Sequence, residues 1–217
     1  MIAASAHKRW YWLGVALVVA GIAAAVIAEG IVRRRRLSSY APQEGDIVFQ
    51  SLSGSDLVDA IEGVTHSELS HCGIVFLRGG SWHVIEALGR VRMTPLPTWV
   101  ARGEGWRFCA YRLTPEFETQ IPAIIEAAMK YEGRPYDLHY RMGDDAIYCS
   151  ELVYKAIRDA TGRNVGTLER LGDLDWEPYR ATIERYENGG VPLDREMITP
   201  AGLTRADELV RAYGAGL

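Results

Sequence analysis

HCGIVFLRGGSWHVIEAL, residues 71–88, reads as two apolar, β-branched runs (71–77 and 82–88) joined by Arg78-Gly79-Gly80-Ser81. Gly79-Gly80 signals a two-residue hairpin turn, because both central positions need a positive φ that glycine adopts without steric cost. With that turn Arg78 pairs with Ser81, Gly73 faces Glu86 and His71 faces Leu88. A four-residue loop over 78–81 keeps the same register. Strand side chains alternate, so residues 71, 73, 86 and 88 share one face. His71 and Glu86 become diagonal neighbours, their backbones ~7–8 Å apart, within reach of long side chains. Gly73, opposite Glu86, leaves room for the imidazole to lean across.

Glu86 is an odd residue for an apolar strand, sharing its face with Trp82, Val84 and Leu88. Burying a carboxylate alone is expensive, so it needs a partner, and His71 is the nearest. A carboxylate holding one ring nitrogen fixes the tautomer and leaves the other free to take a proton.

Strand signals continue on either side of the hairpin, at 46–50 (DIVFQ), 90–93 (RVRM) and 107–113 (RFCAYRL). Residues 54–65 predict a helix entered through Ser55, with Leu57, Val58 and Ile61 on one face, and 95–103 a short helical turn. Thr114-Pro115 opens a helical region whose buried face is Ile121, Ile124, Ile125, Ala128 and Met129. Pro122 must restart or kink it, and Gly133 ends it. After a loop rich in Tyr, Asp and Gly, CSELVYKAIRDATG (149–162) predicts a second helix with Leu152, Val153, Ala156 and Ile157 inward and Gly162 as its stop. Residues 203–213 read as a short helix. One helix, antiparallel strands and then helices indicate an α+β domain.

Cys149 stands at the start of its helix, where free N–H groups and the dipole favour a thiolate, and an adjacent imidazolium would favour it far more. Nucleophile, base and orienting group are all present in Cys149, His71 and Glu86. Cys72 and Cys109 read as small apolar core residues, alternating with Ile74 and Tyr111 into strand faces. Three cysteines are not a disulfide framework, and no CxxC pair supports a zinc ribbon. His66, His71, Cys72 and His83 match no common zinc spacing, and adjacent His71 and Cys72 alternate to opposite faces. Neither metal nor cofactor is expected. A net charge of −4, with basic residues scattered apart from Arg33–Arg36, leaves no nucleic-acid footprint.

The N-terminal stretch Trp10–Ala28 has no charged residue and is about as long as the ~20 apolar residues a bilayer core requires. It exceeds the ~7–15 residues of a signal-peptide core. A transmembrane helix or uncleaved signal anchor over 10–32 is favoured over a cleaved signal peptide, for which Lys8-Arg9 and Val26-Ile27-Ala28 would serve. A buried core helix fits poorly without a polar face. The organisation expected is an N-terminal segment 1–9, a single span 10–32, a linker 33–45 and one domain over 46–213. Arg33–Arg36 would keep that domain in the cytoplasm by the positive-inside rule, or touch anionic headgroups with the domain outside.

The segments GDIVFQ (45–50), ELSHCGIVF (68–76), HVIEAL (83–88), GRPYD (133–137), IYCSELVYKA (147–156) and VPLDREMITPAGL (191–203) resemble the YiiX/YaeF-type permuted papain-like amidases, relatives of the NlpC/P60 cysteine peptidases. The likeness runs in the same order over 42–212. In ordinary NlpC/P60 enzymes the Cys helix precedes the His strand, and the permuted group reverses this, as here. The resemblance implies Cys149 as nucleophile, His71 as base and Glu86 as third polar residue, in a papain-like domain with a small antiparallel sheet packed on helices. It implies an exported domain and an acyl-enzyme formed on peptide, cell-wall or lipid amide or ester bonds. A lipid acyltransferase and a catalytically idle binding module of the same fold are the alternatives. Tyr148 is a candidate to line the oxyanion site, and Tyr136 to line the substrate pocket or to shape the turn. Glu151, in the first helical turn, favours the helix dipole.

Overall fold

The computed structural model describes residues 15, 17–28, 30–32 and 38–214 of the chain, which divides into two units, 1–41 and 42–217. In the first unit residues 17–28 are helical, and Leu17, Val18, Val19, Ile22, Val26 and Ile27 are all exposed. Among the described residues no helix is long and apolar enough to cross a membrane. The transmembrane helix expected over 10–32 is therefore not supported; residues 10–14, 16 and 29 of that span, and Arg33–Arg36 after it, lie outside the described residues.

The second unit is the expected α+β domain, built on a six-stranded antiparallel sheet. Its strands are β1 (Ile47–Gln50), β2 (His71–Arg78), β3 (Ser81–Leu88), β4 (Arg90–Pro95), β5 (Cys109–Leu113) and β8 (Leu209–Tyr213), in the spatial order β4-β3-β2-β1-β5-β8. A two-stranded piece pairs β6 (Glu169–Arg170) with β7 (Glu196–Met197). The β2–β3 hairpin has the expected register, from Arg78↔Ser81 to Gly73↔Glu86. Gly79 and Gly80 take φ of 56° and 76°, as a two-residue turn matched to strand twist demands.

Helix α1 (Asp56–Thr65) is capped by Ser55, whose Oγ accepts from Val58 N at 3.2 Å. The short helix α2 (Leu96–Arg102) lies against β3 and β4. A 3₁₀ stretch, Pro115–Gln120, precedes α3 (Ile121–Met129), so Pro122 restarts the helix rather than kinking it, as a proline without an N–H can in a first turn. Helix α4 (Cys149–Thr161) ends at Gly162 with φ of 71°. Phe49, Cys72, Ile74, Phe76 and Ile85 form one sheet face and share a core with Ile124, Ala128, Leu152 and Val153 of α3 and α4. On the other face Val48, Val75, Val84 and Ala110 are fully buried, as are Trp99 and Val100 of α2. A sheet covered on both faces explains why its strands read as nearly continuous apolar runs.

Beyond α4 lie α5 (Arg180–Glu187) and α6 (Pro200–Thr204). The helix expected over 203–213 is corrected: α6 stops at Thr204 and residues 209–213 are β8, paired with β5. Pairing there satisfies the backbone of an edge that local periodicity cannot see, and it buries Leu209.

Candidate active site

The His71 and Glu86 side chains meet as the hairpin register requires. His71 Nε2 lies 2.6 Å from Glu86 Oε2, with both residues buried. The second carboxylate oxygen accepts from Thr94 Oγ1 at 2.6 Å, Arg102 Nη2 at 2.5 Å and Arg92 Nε at 3.3 Å. Burial alone would raise the Glu86 carboxyl; the bond and charge of His71, then Thr94 and Arg102, outweigh it and bring it down to about 2. Trp99 stacks on the imidazole at 6.0 Å between centroids and shields it from the α2 side.

Gly73, opposite Glu86, has no room for a side chain. A Cβ there would stand 2.5 Å from Val84 Cγ1 and 2.7 Å from the Ile85 carbonyl oxygen. Because backbone would have to shift, Gly73→Ala is expected to cost about 1–3 kcal/mol, read as a lower urea midpoint at unchanged slope.

Cys149 is the first residue of α4, and its Sγ lies 3.8 Å from the Ser70 carbonyl oxygen, at the foot of β2. The helix start is fixed by buried polar contacts. Tyr148 N donates to Glu151 Oε2 at 3.2 Å, and Lys155 Nζ lies 2.9 Å from Glu151 Oε1. Lys155, itself buried, also holds Asp144 Oδ1 at 2.6 Å and the Gly143 carbonyl, which ties the preceding loop to the helix. Glu151 thus does more than favour the dipole. Burial raises its carboxyl to about 7 despite the opposing pull of Lys155.

His71 Nε2 is engaged by Glu86, and the Cys149 side chain acts electrostatically on the same imidazole. Burial alone would lower the imidazole; Cys149 and then Glu86 overcome it and raise it to about 9. The Cys149 thiol is held well below its ordinary value, first by a hydrogen bond from Cys72 against the cost of burial, then by the bond and charge of His71. At neutral pH the arrangement favours a thiolate–imidazolium pair.

The Tyr136 hydroxyl lies 3.2 Å from that of Tyr140, which lines the same cleft as Cys149, and burial, then the neighbouring Tyr140 and Cys149, push the Tyr136 phenol well up. The Tyr148 side chain is engaged elsewhere. Its ring is fully buried and its hydroxyl is used by Ile198 N at 3.0 Å and Met142 Sδ at 3.1 Å. Cys72 and Cys109 both lie in the core, as expected.

Four residues around this constellation escaped the sequence reading. Arg92 faces Glu86 directly across β3–β4, and Gly89 at the turn was the signal that could have given that register. Thr94, Arg102 and Trp99 depend on β4 running on to Pro95 and on how α2 packs, which no local pattern encodes. Cys149 and Ser70 also form one side of a cleft whose other walls are mainly apolar, among them Leu57, Ile61, Leu171, Ile183, Met197 and Ile198.

Among the described residues no three His, Cys, Asp or Glu side chains are grouped to hold a metal ion.

Protein YiiX of Escherichia coli (strain K12) is 33% identical over 174 residues, covering 79% of this chain and 86% of that protein. The crystal structure of metalloprotein YiiX from Escherichia coli O157:H7 superposes with a TM-score of 0.74 at 32% identity, covering 81% of this chain and 99% of that one. Residues 41–213 match the family model described as permuted papain-like amidase enzyme, YaeF/YiiX, C92 family. The chain belongs to this family of permuted papain-like amidases, a class of cysteine hydrolases.

Proposed function

We propose that this chain is a cysteine acyl hydrolase acting on amide, ester or thioester bonds of apolar acyl groups, with Cys149, His71 and Glu86 as its triad. The observation that carries the reading is the apolar cleft walled on one side by Cys149. Cell-wall peptides bring polar and charged groups that need partners, whereas an acyl chain gains about 0.8 kcal/mol per buried methylene. The cleft lining therefore favours lipid-like acyl substrates over peptides.

In this mechanism the Cys149 thiolate attacks the carbonyl carbon, forming a C–S bond as the carbonyl electrons move onto oxygen. Amide groups of the first turn of α4 face the developing oxyanion. Collapse breaks the bond to the leaving group, which takes the proton from His71. Water then gives a proton to His71 and attacks the thioester, releasing a carboxylic acid and restoring the thiolate–imidazolium pair. An alcohol or amine in place of water would make the same site an acyltransferase. Glu86 holds the ring and offsets its charge throughout.

The test is a series of p-nitrophenyl esters from acetyl to dodecanoyl, with intact-mass detection of the acyl-enzyme and muropeptides as a parallel substrate. kcat/KM is expected to rise at least about tenfold from acetyl to octanoyl, with the acyl adduct on Cys149 and none in Cys149→Ser. A flat chain-length series with muropeptide cleavage would overturn the substrate class. Equal labelling of Cys149→Ser would overturn the nucleophile.

Attachment to a membrane through the apolar N-terminal segment is a separate part of the proposal, supported by the exposed apolar side chains of residues 17–28. Carbonate extraction tests the attachment, and a C-terminal reporter fusion tests the side.

A further inference from the structure

Glu151 and Lys155 are buried charged groups that this mechanism leaves unused. They stand on α4, Glu151 two residues beyond Cys149 and Lys155 one turn further on. Side chains of these types are rarely buried unless paired, and these two pair with each other at 2.9 Å. Taking two charges out of water can cost more than their contact returns, so stability alone is a weak reason for the pair. Its position supplies a better one.

A helix leaves its first four N–H groups without partners inside the helix. At α4 these belong to Tyr148, Cys149, Ser150 and Glu151, and Leu152 N is the first to find a partner, the Tyr148 carbonyl oxygen at 3.0 Å. Glu151 Oε2 accepts from Tyr148 N at 3.2 Å, reaching back over the turn that holds Cys149. Lys155 anchors the other carboxylate oxygen and, through Asp144 Oδ1 at 2.6 Å and the Gly143 carbonyl, ties it to the loop before the helix. On another side the turn is fastened to Ile198. The Tyr148 hydroxyl accepts from Ile198 N at 3.0 Å, and Ser150 Oγ donates to the Ile198 carbonyl oxygen at 2.8 Å. None of these bonds uses the N–H of Cys149 or Ser150.

We propose that Glu151 is a positioning residue for the oxyanion: by capping Tyr148 N it fixes the first turn of α4 so that the Cys149 and Ser150 amides point at the carbonyl under attack, with Lys155 as the counter-charge that keeps the carboxylate buried there. The inference rests on the reading of Cys149 as the nucleophile. Fixed donors accelerate a step only as far as negative charge develops on the oxygen they face. A bare carboxylate so near would repel that same oxygen, and Lys155 cancels the repulsion.

Two reactions at one sulfur separate positioning from a merely structural role. p-Nitrophenyl acetate passes through an oxyanion, whereas iodoacetamide alkylates the sulfur at a saturated carbon and forms none. Both are measured above about pH 7, where the Glu151 carboxyl is ionised. In Glu151→Ala, kcat for the ester is expected to fall at least about tenfold with KM little changed, part of the ~10²–10³ that one oxyanion donor contributes. Alkylation of Cys149, followed on its own peptide by mass spectrometry, is expected to be no slower, because the change takes a negative charge away from the thiolate. Glu151→Gln, whose amide oxygen still caps Tyr148 N, is expected to recover at least half of the loss on a logarithmic scale. Should Glu151→Ala fail to fold, Glu151→Leu with Lys155→Met takes its place, since removing both charges of a buried pair together is often tolerated. An unchanged kcat, a parallel fall in ester hydrolysis and alkylation, or equal losses in the glutamine and apolar variants would overturn the inference. Absence of the acetyl adduct from Cys149 in wild type would instead overturn the nucleophile.

Discussion

His71→Ala is expected to lower kcat/KM on an acyl ester by about 10⁴-fold, the upper end of what a positioned acid–base group contributes. The loss is large because the proposed mechanism gives His71 two tasks. Its charge helps keep Cys149 ionised inside a buried site, and its proton goes to the leaving group. The pH profile carries the sign. With Cys149 held low and His71 raised to about 9, the reactive pair exists from the depressed thiol value up to about 9. Wild-type activity is therefore expected to decline above about pH 9, as the imidazolium loses the proton the leaving group needs. In His71→Ala that alkaline limb disappears, and the residual rate climbs with pH as the thiol titrates. A profile unchanged in shape would remove His71 from the mechanism.

Glu86→Ala is expected to be the most destabilising single change at the site, by about 3–5 kcal/mol. It strips the partner from the His71 imidazole, the Thr94 hydroxyl and the Arg102 guanidinium at once, and leaves them buried or half-buried. Glu86→Gln is gentler, since an amide keeps hydrogen-bonding capacity but not the charge. Its effect on stability should depend on pH with a definite sign. The carboxyl is at 4.5 when unfolded and about 2 when folded, so its contribution is fully present above 4.5 and is lost as pH falls from there through about 2. Urea unfolding of wild type and Glu86→Gln should give a gap that narrows over that window. A gap that stays constant would mean that the ion pair is not what Glu86 supplies. Activity of the folded Glu86→Gln enzyme should fall as well, because an uncharged partner no longer offsets the imidazolium.

Legibility of the fold followed the range of the interaction. The hairpin register, and with it the His71–Glu86 contact, was written in Gly79-Gly80 and in alternation, both of which act within a few residues. The start of α4 and its stop at Gly162 were legible for the same reason. Residues 203–213 were not: a short amphipathic stretch satisfies either period, and pairing with β5, nearly a hundred residues away, selects the strand. The N-terminal apolar segment was legible as composition, but the expected span over 10–32 is not carried by the described residues.

The α+β class, the hairpin register and the pairing of His71 with Glu86 could be read from residue order alone, because they follow from local backbone preference and side-chain periodicity. Folding in three dimensions settles that Arg102 and Thr94 hold Glu86, that the Cys149 sulfur sits beside the Ser70 carbonyl, and that the cleft there is mainly apolar. Those contacts join residues from 8 to 79 positions apart, and their geometry is set by how helices pack on the two faces of the sheet, which no local pattern records.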